Sequence, residues 1–141
     1  MSLKLPNPTR SAKDSIMLDS LVENKAALKA TAISENEKVK LTPSVSRNIL
    51  DEGFWKKIQF LAKLLESIAR GLKVLEGDSS NLALVVRVFM DIKSEWSKTL
   101  ENSNVSSTVR NAVLQRLKYR TNFGIKPIHL AAYILHPRFR G

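Results

Sequence analysis

The chain has no cysteine. That absence removes disulfide frameworks and thiolate metal sites together, and it fits a reducing intracellular compartment, the cytosol or nucleus. Aromatics are scarce, with 2 tryptophans, 2 tyrosines and 5 phenylalanines in 141 residues. Strand-type alternation of apolar and polar positions is missing throughout. No apolar run approaches the roughly 20 residues of a bilayer span. The opening Met1-Ser-Leu-Lys-Leu-Pro6 lacks the apolar segment of a secretion signal. Neither a Gly-rich phosphate loop nor a nucleophile motif is present.

What remains is a chain of ordinary apolar content, 43% hydrophobic, long enough for one domain with a real core. Charge is its main compositional signal: a net +10, with a pI of about 10.1. Residues 101–141 hold 7 basic groups and 1 acidic group, whereas residues 51–100 hold 8 and 7. A cationic surplus of this kind fits a polyanionic partner, nucleic acid first and an anionic membrane surface second.

Helical periodicity covers most of the chain. Residues 1–11 hold two prolines and read as an extended lead-in; residues 12–141 read as a single helical domain. A first helix is expected from Ala12 to Ala32, on a face of Met17, Leu21 and Leu28 flanked by Leu18, Val22 and Ala32. Residues 33–43 form a polar loop. A short helix follows from Pro43 to Leu50, with Thr42 as its N-cap. Phe54, Ile58, Leu61, Leu65, Ile68, Leu72 and Leu75 are spaced 4, 3, 4, 3, 4, 3, an apolar seam on one long helix. Gly77 suits a left-handed cap behind it. Leu82, Val85, Phe89, Ile92, Trp96 and Leu100 form a second seam, so the two helices predict an antiparallel hairpin. A further helix over 107–121 presents Val109, Ala112, Val113 and Leu117, and Asn122-Phe-Gly124 ends it. A last, almost wholly apolar helix begins at Pro127 and stops at His136, because the residue before proline disfavours helix. The fold class is all-α: an irregular bundle of five or six helices around a central antiparallel hairpin. Within the last helix, Ile128, Ala131, Ala132 and Leu135 are expected to face the domain, and Leu130 and Ile134 to face outward.

No catalytic constellation emerges. Glu76 and Asp78 fit an acidic helix-to-helix turn better than a metal site. His129 and His136, seven apart with no carboxylate or thiolate nearby, fit packing or capping better than zinc. Catalytic residues, metal ligands and a cofactor are therefore not expected in this chain. The candidate nucleic-acid contacts are Lys118, Arg120, Lys126, Arg138 and Arg140, which would grip phosphates without sequence preference. Arg116 falls near the apolar arc of its helix, where its stem lies on the core or its charge meets an acid. Tyr119 is placed to stack on exposed bases; Phe123 fits the core better. Trp96 continues its seam, and Trp55 anchors the entry of its helix.

Four segments, in order, resemble the middle of hAT-family DNA transposases and their domesticated relatives. They are Pro8-Thr-Arg10 followed by Met17-Leu18-Asp-Ser-Leu21-Val-Glu-Asn-Lys25-Ala-Ala-Leu28; Phe54-Trp55-Lys-Lys-Ile58; Leu75-Glu76-Gly77-Asp78; and His129-Leu-Ala-Ala-Tyr-Ile-Leu135-His-Pro137-Arg138-Phe139. The last is similar to the family's Ala-Ala-x-Leu-Asx-Pro-Arg-aromatic segment. Two positions depart from the family: Ser11 stands where it has tryptophan, and His136 where it has an acid or amide. Both fit a degenerate or domesticated copy.

The resemblance implies a location. In such transposases a ribonuclease H-like core holds divalent metal with two Asp and one Glu, and a helical domain is inserted before the Glu. This chain would be the first part of that insertion, non-catalytic, with the catalytic carboxylates outside it. It would scaffold the nuclease core and add basic surface for DNA in the nucleus. Its implied partners are DNA and the rest of the parent protein, with no membrane and with a homo-oligomer possible. A divalent metal is expected only for the parent's catalytic core. The alternative is a helical protein–protein interaction module of a domesticated transposase-derived protein.

Overall fold

The structure, a computed structural model, describes Leu3 and residues 12–34, 41–79 and 81–139. Most of the expected lead-in, the middle of the 33–43 loop, Ser80 and Arg140 lie outside the described residues, as does Pro8-Thr-Arg10. Among the described residues the fold is all-α, with no strand. In chain order the helices are α1 (Lys13–Glu23), α2 (Lys25–Ile33), α3 (Pro43–Leu50), α4 (Glu52–Leu75), α5 (Leu82–Glu101), α6 (Ser107–Gly124) and α7 (Pro127–Leu135). A 3-10 turn, Pro137–Phe139, follows. The chain divides into two compact units, Met1–Leu65 and Glu66–Gly141, with the boundary inside α4.

In the first unit, one expected helix is two. Asn24 ends α1 because its side-chain amide donates to the Ser20 carbonyl at 2.7 Å, which its own backbone N–H also reaches at 3.2 Å. Short polar side chains that bond their own backbone offer the chain an alternative to continued helix. α2 packs against α3, and α1 against α2. α3 runs over the expected span with Pro43 at its first position, but the Thr42 hydroxyl meets Ser44 Oγ at 3.3 Å rather than capping a backbone N–H. The cap of α4 is Asp51, whose carboxylate accepts from the N–H groups of Gly53 and Phe54 at 2.9 and 3.0 Å.

Trp55 is the anchor expected of it. It is 1% exposed, and its indole N–H donates to the Ile49 carbonyl at 2.7 Å. That bond satisfies both the buried indole and a carbonyl in the last turn of α3. Phe54 meets the Trp55 ring edge-on at 5.4 Å. Lys25 Nζ lies 5.6 Å from the centroid of the same ring. Lys25 and Lys29 both close on the Glu52 carboxylate, tying α2 to the first turn of α4.

The second unit is organised by α5. Val88 and Ile92 pack with Leu117 of α6, and Ile68, Leu75 and Trp96 close in from the sides. α5 runs antiparallel to the C-terminal turns of α4, as expected for the hairpin: Gly71 lies against Val88 and Ile92, Arg70 meets Glu95, and the Trp96 indole donates to Ser67 Oγ at 2.8 Å. α6 and α7 both pack on α5 as well.

The core follows the expected apolar seams only in part. Leu61, within the expected α4 seam, is 45% exposed. Within the first unit α4 buries Trp55, Ala62 and Leu64; within the second it buries Ser67 and Gly71. The rest of the seam is half-buried. Gly71 is buried where Val88 of α5 comes close, and Ser67 where it accepts from the Trp96 indole. On α5, Ile92 and Leu100 of the seam are buried as expected, whereas Leu82 is exposed and Ala83 and Val86 beside the seam are buried. α5 begins under an unforeseen cap, Asn81, whose side chain accepts from Leu84 N–H at 3.2 Å. Gly77 is not left-handed, since no described glycine has a positive φ.

A Cβ at Gly71 would sit 2.6 Å from Val88 Cγ1, a buried β-branched side chain with little freedom to move. Overpacking at about 1–3 kcal/mol outweighs the helix preference for alanine of about 1 kcal/mol, so Gly71→Ala lowers the urea midpoint. Gly77→Ala meets nothing closer than 3.5 Å and raises it by the equivalent of about 0.4–1 kcal/mol. Separately, the lysine hydrogen bonds and charges at Lys25 and Lys29 hold the Glu52 carboxyl at about 2, below its ordinary 4.5. With the folded value depressed, the contribution of this pair is present above about 4.5 and is lost as pH falls from there through about 2. Glu52 itself is largely solvated, so the readout is the titration itself. An NMR titration of the Glu52 carboxyl carbon has its midpoint near 2, and Lys25→Met with Lys29→Met returns it toward 4.5.

Candidate nucleic-acid interface

The interface is built on α6. Ser106 Oγ caps it by accepting from Val109 N–H at 3.3 Å. Arg110 folds inward and donates from Nη2 to the Leu100 carbonyl at 3.2 Å, joining the Ser103 hydroxyl, which donates to the same carbonyl at 2.9 Å, at the α5–α6 corner. Leu117 is buried, and Thr121 Oγ1 bonds back to the Leu117 carbonyl at 2.9 Å. Gly124 lies so close to Phe89 that a Cβ there would be 2.7 Å from the ring. The inward stripe is thus Arg110, Val113, Leu114, Leu117, Thr121 and Gly124, all buried or half-buried.

This registers α6 differently from the sequence reading in three ways. Val109 and Ala112, expected in the core, are exposed. The helix continues through Asn122 and Phe123 to Gly124 instead of ending before them. Phe123, expected to pack, is 65% exposed. The physical reason is that α6 presents its glycine, threonine and Leu117 to α5, which lets the backbones come together. The larger Phe123 is left on the other side.

The outward surface follows from that register. Tyr119, 61% exposed, points away from Leu117. Arg116, Arg120 and Phe123 lie on one flank of it, and Lys118 on the other; all are exposed. Arg116 therefore joins the basic surface rather than the core. No pattern of apolar spacing marks it, because its placement depends on which side of α6 meets α5. Lys118 and Arg120 do not share a stripe, being two residues apart on a helix.

Beyond α6 the chain turns at Lys126. Its ammonium lies 4.9 Å from the Phe123 ring centroid, a cation–π contact. Its backbone N–H donates to His129 Nδ1 at 3.0 Å, so His129 caps the start of α7. His136 does the equivalent past the other end, accepting from Arg138 N–H at 3.2 Å. Both histidines thus have the capping role expected. Phe139 folds back to stack on Tyr133 at 5.1 Å and to meet His136 at 4.9 Å. That clip leaves Arg138 exposed at the tip. Arg138 stands about a helix length, ~13 Å, from Lys126. Arg116, Lys118, Arg120, Lys126 and Arg138 make no ion pair among the described residues, whereas Arg70 and Arg87 pair with Glu66, Glu95 and Asp91.

α7 corrects another expectation. Its half-buried residues are His129, Ala132, Tyr133 and His136, a clean i, i+3, i+4, i+7 stripe. Ile128, Ala131 and Leu135, expected to face the domain, are exposed; Leu130 and Ile134 are exposed as expected. A helix apolar on all sides gives no moment to choose a face, and here the residues with polar tips reach the caps. Glu76 and Asp78 are both exposed in the turn after α4, and no group of three or more His, Cys, Asp or Glu gathers among the described residues. Compared with protein-family models, with curated proteins and with solved structures, the chain gives no match.

Proposed function

We propose that this chain is a non-catalytic helical domain of a hAT transposase-like protein, which scaffolds a ribonuclease H-like core and adds basic surface for DNA. The observation that carries the DNA part is the surface running from Arg116 to Arg138. Five exposed cations lie there without an acidic partner among the described residues, in a stretch, 102–141, that has no Asp or Glu. Unpaired cations of one sign attract a polyanion by counterion release, without reading sequence. In this reading the metal-holding carboxylates belong to the parent's core and the site of action is nuclear.

The transposase part rests on the four resembling segments. Two of them meet in space: Asn24-Lys25, from the first, makes the α1–α2 break and brings its lysine over Trp55, from the second. Arg138-Phe139, from the fourth, forms the clip on α7. A second reading, a protein-interaction module, is favoured by the bare apolar side of α7, where Ile128 and Ile134 are 62% and 68% exposed. Sedimentation equilibrium tests it: a stable dimer or larger oligomer supports the interaction module, and a monomer counts against it.

For the first reading, the chain binds a random-sequence duplex weakly and with strong salt dependence. About five phosphate contacts predict a loss of roughly 10²–10³-fold between 50 and 200 mM salt. Lys118→Glu with Arg120→Glu lowers affinity at low salt about tenfold or more, measured by fluorescence anisotropy. Undetectable binding at low salt, or affinity unmoved by the double reversal, would sink the proposal.

A further inference from the structure

The outward face of α6 carries more than charge. Tyr119 and Phe123 are 61% and 65% exposed and lie one turn apart on the same side of the helix. Four residues at 1.5 Å each separate their attachment points by about 6 Å along the axis. Arg116 and Arg120 flank Tyr119, and the Lys126 ammonium covers one side of the Phe123 ring. Such rings are a poor match for duplex DNA, whose base faces are already covered by their neighbours; inserting one costs a few kcal/mol of unstacking. A single strand has open base faces, and an extended one spreads its bases to meet two platforms in succession. Cations interleaved with the rings then lie beside the phosphates between those bases.

We infer that this face is a stacking platform for unpaired bases, so that its ligand is single-stranded DNA in preference to duplex. Tyr119 and the open side of Phe123 take adjacent bases, while Arg116, Arg120 and Lys126 hold the backbone. The inference rests on the DNA-binding reading above and narrows its substrate class.

The test uses the full 141-residue chain and a labelled strand of about 16 nucleotides, the upper site size for one small binding module. The strand is presented alone and annealed to its complement, at low salt. The single strand binds about tenfold more tightly than the duplex. Tyr119→Ala with Phe123→Ala removes about tenfold of single-strand affinity per ring and moves duplex affinity by less than about twofold, as expected when the phosphate contacts are kept. Both side chains are solvent-exposed, so the fold tolerates the change. In Phe123→Trp, indole emission is quenched by the single strand and not by the duplex. Equal affinity for both forms, unaffected by the double alanine variant and without quenching in Phe123→Trp, overturns the stacking inference and leaves the DNA reading standing. Absence of binding to either form overturns both.

Discussion

The second unit depends on α5 being covered from several sides at once. Val88 and Ile92 receive Gly71 of α4 on one side and share a cluster with Leu117 of α6. Phe89 receives Gly124, and α7 lies along the same helix. Such close contacts require small residues opposite the branched ones, and glycine supplies them at positions 71 and 124. A close-packed interior of this kind transmits even one added methyl group.

That constraint also decides what is left outside. α6 turns its glycine, threonine and Leu117 inward, and consequently turns Arg116, Tyr119, Arg120 and Phe123 outward. α7 seats a stripe of histidine, alanine and tyrosine, and leaves its isoleucines in solvent. The first unit has a different logic. There Trp55 is the buried centre, its indole satisfied by the end of α3, and Glu52 gathers two lysines over it. Lys25 and Lys29 are drawn to a carboxylate there; among the described residues the cations of α6 and Arg138 are not.

Much of the helical plan was legible in sequence. Pro43 and Pro127 mark helix starts because their missing N–H is no loss there. Pro137 stops α7 because it disfavours helix for His136. The matched periods around Gly77 give the hairpin. Which face of each helix is buried was far less legible. Counting large apolar residues put Leu61 in the α4 seam and Val109 beside Val113 and Leu117 in the core of α6; Leu61 and Val109 are exposed, and Ser67, Gly71, Thr121 and Gly124 hold inward positions that the count passes over. Close helix packing selects for small side chains, which a hydrophobicity count ranks low. The basic candidates Lys118, Arg120, Lys126 and Arg138 are on the surface as their charge implies. Arg116 and Phe123 belong to the same surface, but only the register of α6 against α5 reveals it. The break at Asn24 was equally hidden, because the amide's bond to Ser20 competes with an otherwise continuous helical pattern.

The central claim is that DNA engages the outward face of α6 and its continuation to Arg138. Amide chemical-shift mapping tests it most directly, by adding a short single strand to the isotope-labelled chain at low salt. The account predicts shifts concentrated between Arg116 and Lys126, with a second group at Arg138 and Phe139, and little change around Trp55. Shifts centred on α1 to α3, or none in α6, would contradict it.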